Sequence, residues 1–125
     1  MEYLLVDDDK NDIAMVRPRL EHLGFNVSVR MIVDFDGLNK LNKERKPEVI
    51  QLDGLDGKCF ELYDIFKSGN PESNIFICSG DDDIGRKSKE MNIHFIHKGM
   101  NYVDDIVDYV TPFIEKKRAL NGQAV

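Results

Sequence analysis

The sequence predicts an α/β domain of (βα)5 type, built on a parallel sheet. Two observations carry this. Short apolar runs alternate five times with segments whose apolar residues recur at helical spacing. Strands that alternate with helices in this way imply a parallel sheet covered on both faces. Polar residues then punctuate the ends of the runs: Asp7 and Asp8 after YLLV, Asp53 after PEVIQL, Ser79 after NIFIC, and Lys98 after IHFIH. The C-terminal ends of strands in an open parallel sheet share one crevice, so these five residues are expected together.

The first strand is Tyr3 to Val6. Ile13, Val16, Leu20 and Leu23 then fall at helical spacing, and Gly24 ends the helix. Pro18 lies inside that helix but off its apolar stripe, so it loses a hydrogen bond to Ala14 and predicts a solvent-facing kink. Phe25 to Ile32 alternates as FNVSVRMI, which suits a half-buried edge strand. Asp34 is placed to cap a short helix carrying Leu38 and Leu41. Pro47 breaks the chain before the strand Glu48 to Leu52. Phe60, Leu62, Tyr63, Ile65 and Phe66 make the third helix amphipathic, and Gly69, Asn70 and Pro71 end it. Asn74 to Cys78 is the fourth strand. Asp81 to Met91 is a polar helix whose clearly apolar residues are Ile84 and Met91, so it should be the least firmly packed. Ile93 to Ile96 is the fifth strand. A helix from Tyr102 to about Ile114, bearing Ile106, Val107, Val110 and Phe113, closes the fold. Residues 1–118 are read as the domain and 119–125 as a flexible tail.

A chain of 125 residues suits one domain. With 42% apolar and 32% charged residues it has the composition of a water-soluble globular domain. No apolar run approaches the roughly 20 residues of a membrane span. The start, MEYLLVDDD, turns acidic at once, unlike a signal peptide. A cytoplasmic location and no membrane contact are therefore expected. The net charge of −6 and the absence of a basic stripe argue against direct nucleic-acid binding. Cys78 lies in an apolar run and is expected to be buried, whereas Cys59 sits in a glycine-rich loop and is expected to be exposed. Two isolated cysteines and three scattered histidines, His22, His94 and His97, form no metal-ligand pattern.

Carboxylates at the density of Asp7, Asp8 and Asp53 suit a hard oxygen-loving cation such as Mg²⁺. A lysine beside them suits an anion that the metal also contacts, and phosphate fits. A carboxylate can itself accept a phosphoryl group as an acyl phosphate. On that chemistry Asp53 is the acceptor and Asp7 and Asp8 hold the metal. The Leu55 carbonyl adds a neutral ligand, while Ser79 and Lys98 each contact a phosphoryl oxygen. Each residue alone also has a plainer use: Asp8 or Asp9 as a helix cap, Ser79 in a turn, Lys98 as a solvated loop residue. Their joint placement at strands 1, 3, 4 and 5 favours a single site.

This set resembles the receiver domain of two-component response regulators, of the chemotaxis-receiver kind. The resemblance runs from Glu2 to about Lys117 and rests on Asp7 and Asp8, Asp53, Ser79 followed by Gly80, and Lys98. Phe95, three residues before the lysine, falls at the family's aromatic switch position. The resemblance implies a flavodoxin-like three-layer fold with strand order 2-1-3-4-5. It implies Asp53 as phosphoacceptor, Mg²⁺ as cofactor, and a histidine kinase or phosphotransfer protein as donor. A downstream target protein would contact the fourth helix, fifth strand and fifth helix, with Ser79 and Phe95 as the switch pair. Homodimerisation through that same face is a further option, with Tyr102, Tyr109 and Phe113 as apolar contacts, although core packing against the sheet is the use that Phe113 suits better. Such a domain is a signalling module and not a conventional enzyme.

Two departures from the family pattern stand out. The segment from Asp53 to Phe60, DGLDGKCF, is about two residues short, contains two glycines, and adds Asp56 as a fourth acid. Gly99 follows the lysine where the family commonly has proline, which leaves Lys98 less constrained. Two rival readings follow. One is a receiver-like protein-interaction module that takes no phosphate. The other is a small phosphatase resembling the haloacid-dehalogenase superfamily, with Asp7 of Asp7-Asp8-Asp9 as nucleophile. The phosphatase needs a late acidic motif, for which only Asp104 and Asp105 are at hand, and it leaves Asp53 without a role.

Overall fold

The computed structural model describes residues 1–123. Five parallel strands form one sheet: β1 (Glu2–Val6), β2 (Asn26–Arg30), β3 (Val49–Asp53), β4 (Asn74–Ser79) and β5 (His94–His97). Their spatial order is β2-β1-β3-β4-β5, the flavodoxin-like order. Five helices alternate with them: α1 (Lys10–Leu23), α2 (Phe35–Arg45), α3 (Cys59–Gly69), α4 (Asp82–Glu90) and α5 (Tyr102–Gln123).

The two-residue period of a strand divides the core into two layers. Tyr3 and Leu5 of β1, with Phe76 and Cys78 of β4, face Val16 and Leu20 of α1 and Ile106, Val110 and Ile114 of α5. Leu4 and Val6, with Ile50 and Leu52 of β3, face Leu38 of α2, Leu62 and Phe66 of α3 and Ile84 of α4. Because both faces are covered, the inner strands are apolar apart from Gln51 and the residues at their ends, which is why they read as continuous runs. β2 is an edge strand, as its alternation predicted. The buried side chain of Gln51 is satisfied by the Tyr3 hydroxyl, which donates to its Oε1 at 2.5 Å.

Helix ends follow local chemistry. Asp9 caps α1, its side chain accepting from the N–H groups of Asn11 and Asp12, and Gly24 closes the helix with φ at 106°. That left-handed conformation is one glycine adopts without steric cost. α1 runs on through Pro18, whose side chain is exposed. Asp34 precedes α2 but makes no side-chain capping bond, so its expected role is not realised. α5 continues to Gln123, past the point where its apolar pattern stops at Ile114. The stretch from residue 119 is helical as far as Gln123, and Ala124 and Val125 fall outside the described residues.

Cys59 departs from expectation. It is the first residue of α3 and fully buried, because a 3-10 turn, Leu55–Gly57, draws the loop onto the sheet. Burial pushes its thiol up to about 11 and that of Cys78 to about 12. Tyr102 is buried and Tyr109 and Phe113 are half-buried, all three packing on the α1–α5 side of the core.

Candidate functional site

Strand order reverses between β1 and β3, and the crevice at such a switch point is where open α/β sheets bind ligands. Asp7 and Asp53 flank it. Asp7 follows β1, its N–H donating to the Arg30 carbonyl at 3.1 Å. Asp53 is the last residue of β3 and stands opposite Cys78 of β4. Ser79, the last residue of β4, stands opposite His97. Lys98 comes next, and its N–H donates to the Ser79 carbonyl at 3.0 Å. The sheet register thus delivers all four residues to one place.

Asp7, Asp8 and Asp53 each offer a carboxylate oxygen, and the three oxygens lie within 4.8 Å of one another. An all-oxygen anionic set of this spacing fits a hard divalent cation. Asp7 is 2% exposed, while Asp8 is exposed and Asp53 intermediate. Burial raises the Asp7 carboxyl from 3.8 to about 6, and the nearby Asp53 charge adds to this. A hydrogen bond from the Asp9 N–H and the Lys98 charge oppose it.

The Lys98 ammonium joins three carboxylates: Asp53 at 2.6 Å, Asp12 at 2.7 Å and Asp7 at 3.2 Å. Burial alone would depress this lysine, but its bonds to Asp12 and Asp53 outweigh that and hold it above the ordinary lysine range. An ammonium has three donors, and here all three are used. Lys98 is pinned, although a glycine, Gly99, follows it.

Asp12 is the residue that sequence reading missed. The fourth acid at the site was expected to be Asp56, yet Asp56 is exposed in the 3-10 turn and lies outside the acidic group. Asp12 stands on the first turn of α1, where an acid reads as a partner of the helix dipole. Its Oδ1 accepts from the Tyr102 hydroxyl at 2.7 Å and its Oδ2 from Lys98. Burial would raise its carboxyl, but these bonds prevail and lower it. No local pattern announces contacts across some 90 residues of chain. An acid at the third position of the helix that follows the acidic pair was the available hint.

The remaining predicted residues are placed as follows. The Ser79 hydroxyl accepts from the Asp81 N–H at 3.1 Å and overhangs Gly54. A Cβ at Gly54 would lie 2.8 Å from the hydroxyl oxygen and 2.7 Å from Ile84, so the residue after the acceptor must be small. Phe95 is half-buried against α4, where Gly85 leaves room for its ring. Leu55 has φ at 51° and Asp56 φ at 55°, both left-handed and unfavourable for a side chain. Burial of the Leu55 side chain in the α2–α4 core layer holds this turn. The Leu55 carbonyl accepts from the Lys58 N–H at 3.1 Å, so the turn already uses one of its two lone pairs. Asp104, which the phosphatase reading would need in the crevice, pairs instead with Arg19 on the outside of α1 at 3.0 Å.

No family model and no curated protein matches the sequence. Solved structures do match. The BeF3-activated receiver domain of DrrB is 27% identical, with a TM-score of 0.72, covering 91% of this chain and 97% of that one. A response regulator from Burkholderia pseudomallei, solved with a phosphorylated aspartic acid, a calcium ion and citrate, is 18% identical, with a TM-score of 0.68. It covers 96% of this chain and 74% of that one. A de novo designed Rossmann 2x3 protein also matches, at 16% identity and a TM-score of 0.69, covering 87% of each chain. The fold alone therefore carries no function, and the site must carry it. Structural neighbours along the full chain are response-regulator receivers, and the crevice holds the acidic cluster typical of a phosphoacceptor site. By fold and by site together the chain is similar to the receiver domains of response regulators. Among the described residues no helix is long and apolar enough to cross a membrane.

Proposed function

We propose that this chain is a phosphorylatable receiver that takes a phosphoryl group on Asp53 from the phosphohistidine of a histidine kinase or phosphotransfer protein. The observation that supports this most is Asp53 itself, with two carboxylates on one side and the Lys98 ammonium on the other. A carboxylate oxygen of Asp53 attacks phosphorus, the P–N bond breaks, and the leaving imidazole recovers a proton. Little covalent assistance is needed, so positioning and charge neutralisation govern the rate. Asp7, Asp8 and Asp53 would hold Mg²⁺, joined by the second lone pair of the Leu55 carbonyl. Bound there, the cation supplies positive charge that offsets the phosphoryl oxygens. Lys98 contacts one phosphoryl oxygen. Ser79 gives up the Asp81 N–H and donates its hydroxyl to another.

That movement vacates space beside α4, where Phe95 rests on Gly85. Ser79 and Phe95 form the switch pair, and α4, β5 and α5 present the altered face to a target protein in the cytoplasm. The engaged Leu55 carbonyl favours a second reading, a receiver fold that works through protein contacts without phosphate. Titration with beryllofluoride and Mg²⁺, followed by amide NMR, separates the two. A phosphorylatable receiver shows Mg²⁺-dependent shifts around Asp53, Ser79 and Phe95 that Asp53→Asn abolishes. No shift at saturating Mg²⁺ would leave the phosphate-independent reading.

A further inference from the structure

Resting on the receiver reading above, we propose that Asp12 is a positioning residue for phosphoryl transfer. Held in place by Tyr102, it keeps the Lys98 ammonium beside Asp53 when Asp7 and Asp53 turn to the metal.

The three carboxylates that share Lys98 are not equivalent. Asp7 and Asp53 also belong to the acidic group that would take a cation, and Asp12 does not. A bound cation would compete with Lys98 for the oxygens of Asp7 and Asp53, and the Asp7 bond, at 3.2 Å, is already the longest. Asp12 alone is free of that competition. Its 2.7 Å bond is nearly as short as that to Asp53, so it is the partner that keeps the ammonium at the site.

Asp12 is itself fixed at three points. Its N–H is capped by the Asp9 side chain at 3.3 Å. Its two carboxylate oxygens are divided between Lys98 and the Tyr102 hydroxyl. Tyr102 is 8% exposed and is the first residue of α5, so the hydroxyl sits on a firm base. The lysine needs such an anchor. After its N–H bond to Ser79 the chain passes into Gly99, a residue with no side chain to brace the loop, and Met100, which is fully exposed. Backbone bonds from the Gly99 N–H to the His97 carbonyl and from the Tyr102 N–H to the Gly99 carbonyl hold the chain there, but they do not fix a four-carbon stem, so partners at its far end decide where the charge rests. A misplaced group at a reaction that depends on positioning loses rate steeply.

The plainer use of Asp12 is to tie α1 to α5. Arg19 and Asp104 make that same tie elsewhere, which provides a control. The test compares wild type, Asp12→Asn, Asp12→Glu, Tyr102→Phe and Arg19→Ala at saturating Mg²⁺. One readout is the Lys98 ammonium resonance of ¹⁵N-lysine-labelled protein, which a pinned and shielded ammonium shows and a mobile one loses to exchange. The other is the limiting rate of Asp53 phosphorylation by acetyl phosphate. Asp12→Asn is expected to lose the resonance and to lower the rate about tenfold, the scale of one charge-assisted hydrogen bond. Tyr102→Phe does the same more weakly, Asp12→Glu restores both in part, and Arg19→Ala changes neither. Wild-type resonance and rate in Asp12→Asn would overturn the proposal, as would an equal loss in Arg19→Ala. If wild type takes no phosphate, the receiver reading fails, and the resonance alone then decides whether Asp12 positions Lys98.

Discussion

Asp7→Asn is predicted to stabilise the metal-free protein at neutral pH while abolishing its response to Mg²⁺. Asp7 is almost wholly buried, and its carboxyl rises from 3.8 to about 6 because burial disfavours the charge. Its native pKa therefore exceeds its unfolded one. Between about pH 4 and pH 6 the folded chain binds the extra proton, so this group's contribution is full below that window and is lost as pH rises through it. The rise from 3.8 to about 6 corresponds to about 3 kcal/mol by the usual conversion of 1.36 kcal/mol per pKa unit. Asparagine removes the charge yet keeps an oxygen for the Asp9 N–H, which bonds Asp7 at 2.9 Å. Lys98 keeps Asp12 and Asp53. The expected gain at about pH 7.5 in EDTA is about 1–3 kcal/mol, or about 4–10 °C in Tm for a domain of this size. At about pH 4 the gain should vanish. Added Mg²⁺ should stabilise wild type by mass action and leave the variant unmoved, reversing their order. Urea and thermal unfolding under these conditions measure all three effects. A variant less stable than wild type at neutral pH without metal, or a difference independent of pH, would mean that burial of the Asp7 charge does not cost the metal-free fold stability.

Three further outcomes follow from the same contacts. Lys98→Met leaves Asp7, Asp12 and Asp53 without their shared ammonium and should destabilise the metal-free chain by about 2–4 kcal/mol, much of it recovered by Mg²⁺ in urea unfolding. Gly85→Ala sets a Cβ 2.7 Å from the Phe95 ring. It should turn that ring outward at a cost of about 1–2 kcal/mol, visible as a change in the Phe95 ring resonances. Gln51→Leu strands the buried Tyr3 hydroxyl and should lower stability by about 1–3 kcal/mol, whereas the double variant with Tyr3→Phe loses much less.

How far the sequence reaches depends on whether a feature is local. The strands are legible because burial on both faces leaves continuous apolar runs, as in YLLV and NIFIC, with punctuation at their ends. Asp7, Asp53, Ser79 and Lys98 are legible for the same reason, since a parallel sheet gathers strand ends whatever lies between them. Asp12 is not, because its partners Lys98 and Tyr102 come to it only through the packing of α1 beside α5 and the course of the loop after β5. The turn after Asp53 is also opaque. Its left-handed residues are Leu55 and Asp56 as well as Gly57, and a buried Leu55 imposes that shape against local preference. Cys59 follows from the same turn, which converts an apparent glycine-rich loop into a buried helix start. The length of α5 escaped because its last turns lack the apolar spacing that marks a packed helix.

Whether Asp53 accepts a phosphoryl group is read from intact-protein mass after incubation with acetyl phosphate and Mg²⁺. Wild type should gain the mass of one phosphoryl group, lose it on treatment with hydroxylamine as an acyl phosphate does, and gain nothing in EDTA. Asp53→Asn should gain nothing under any of these conditions. An unmodified wild type, with histidine kinases also tried as donors, or an adduct that persists in Asp53→Asn, would contradict the account.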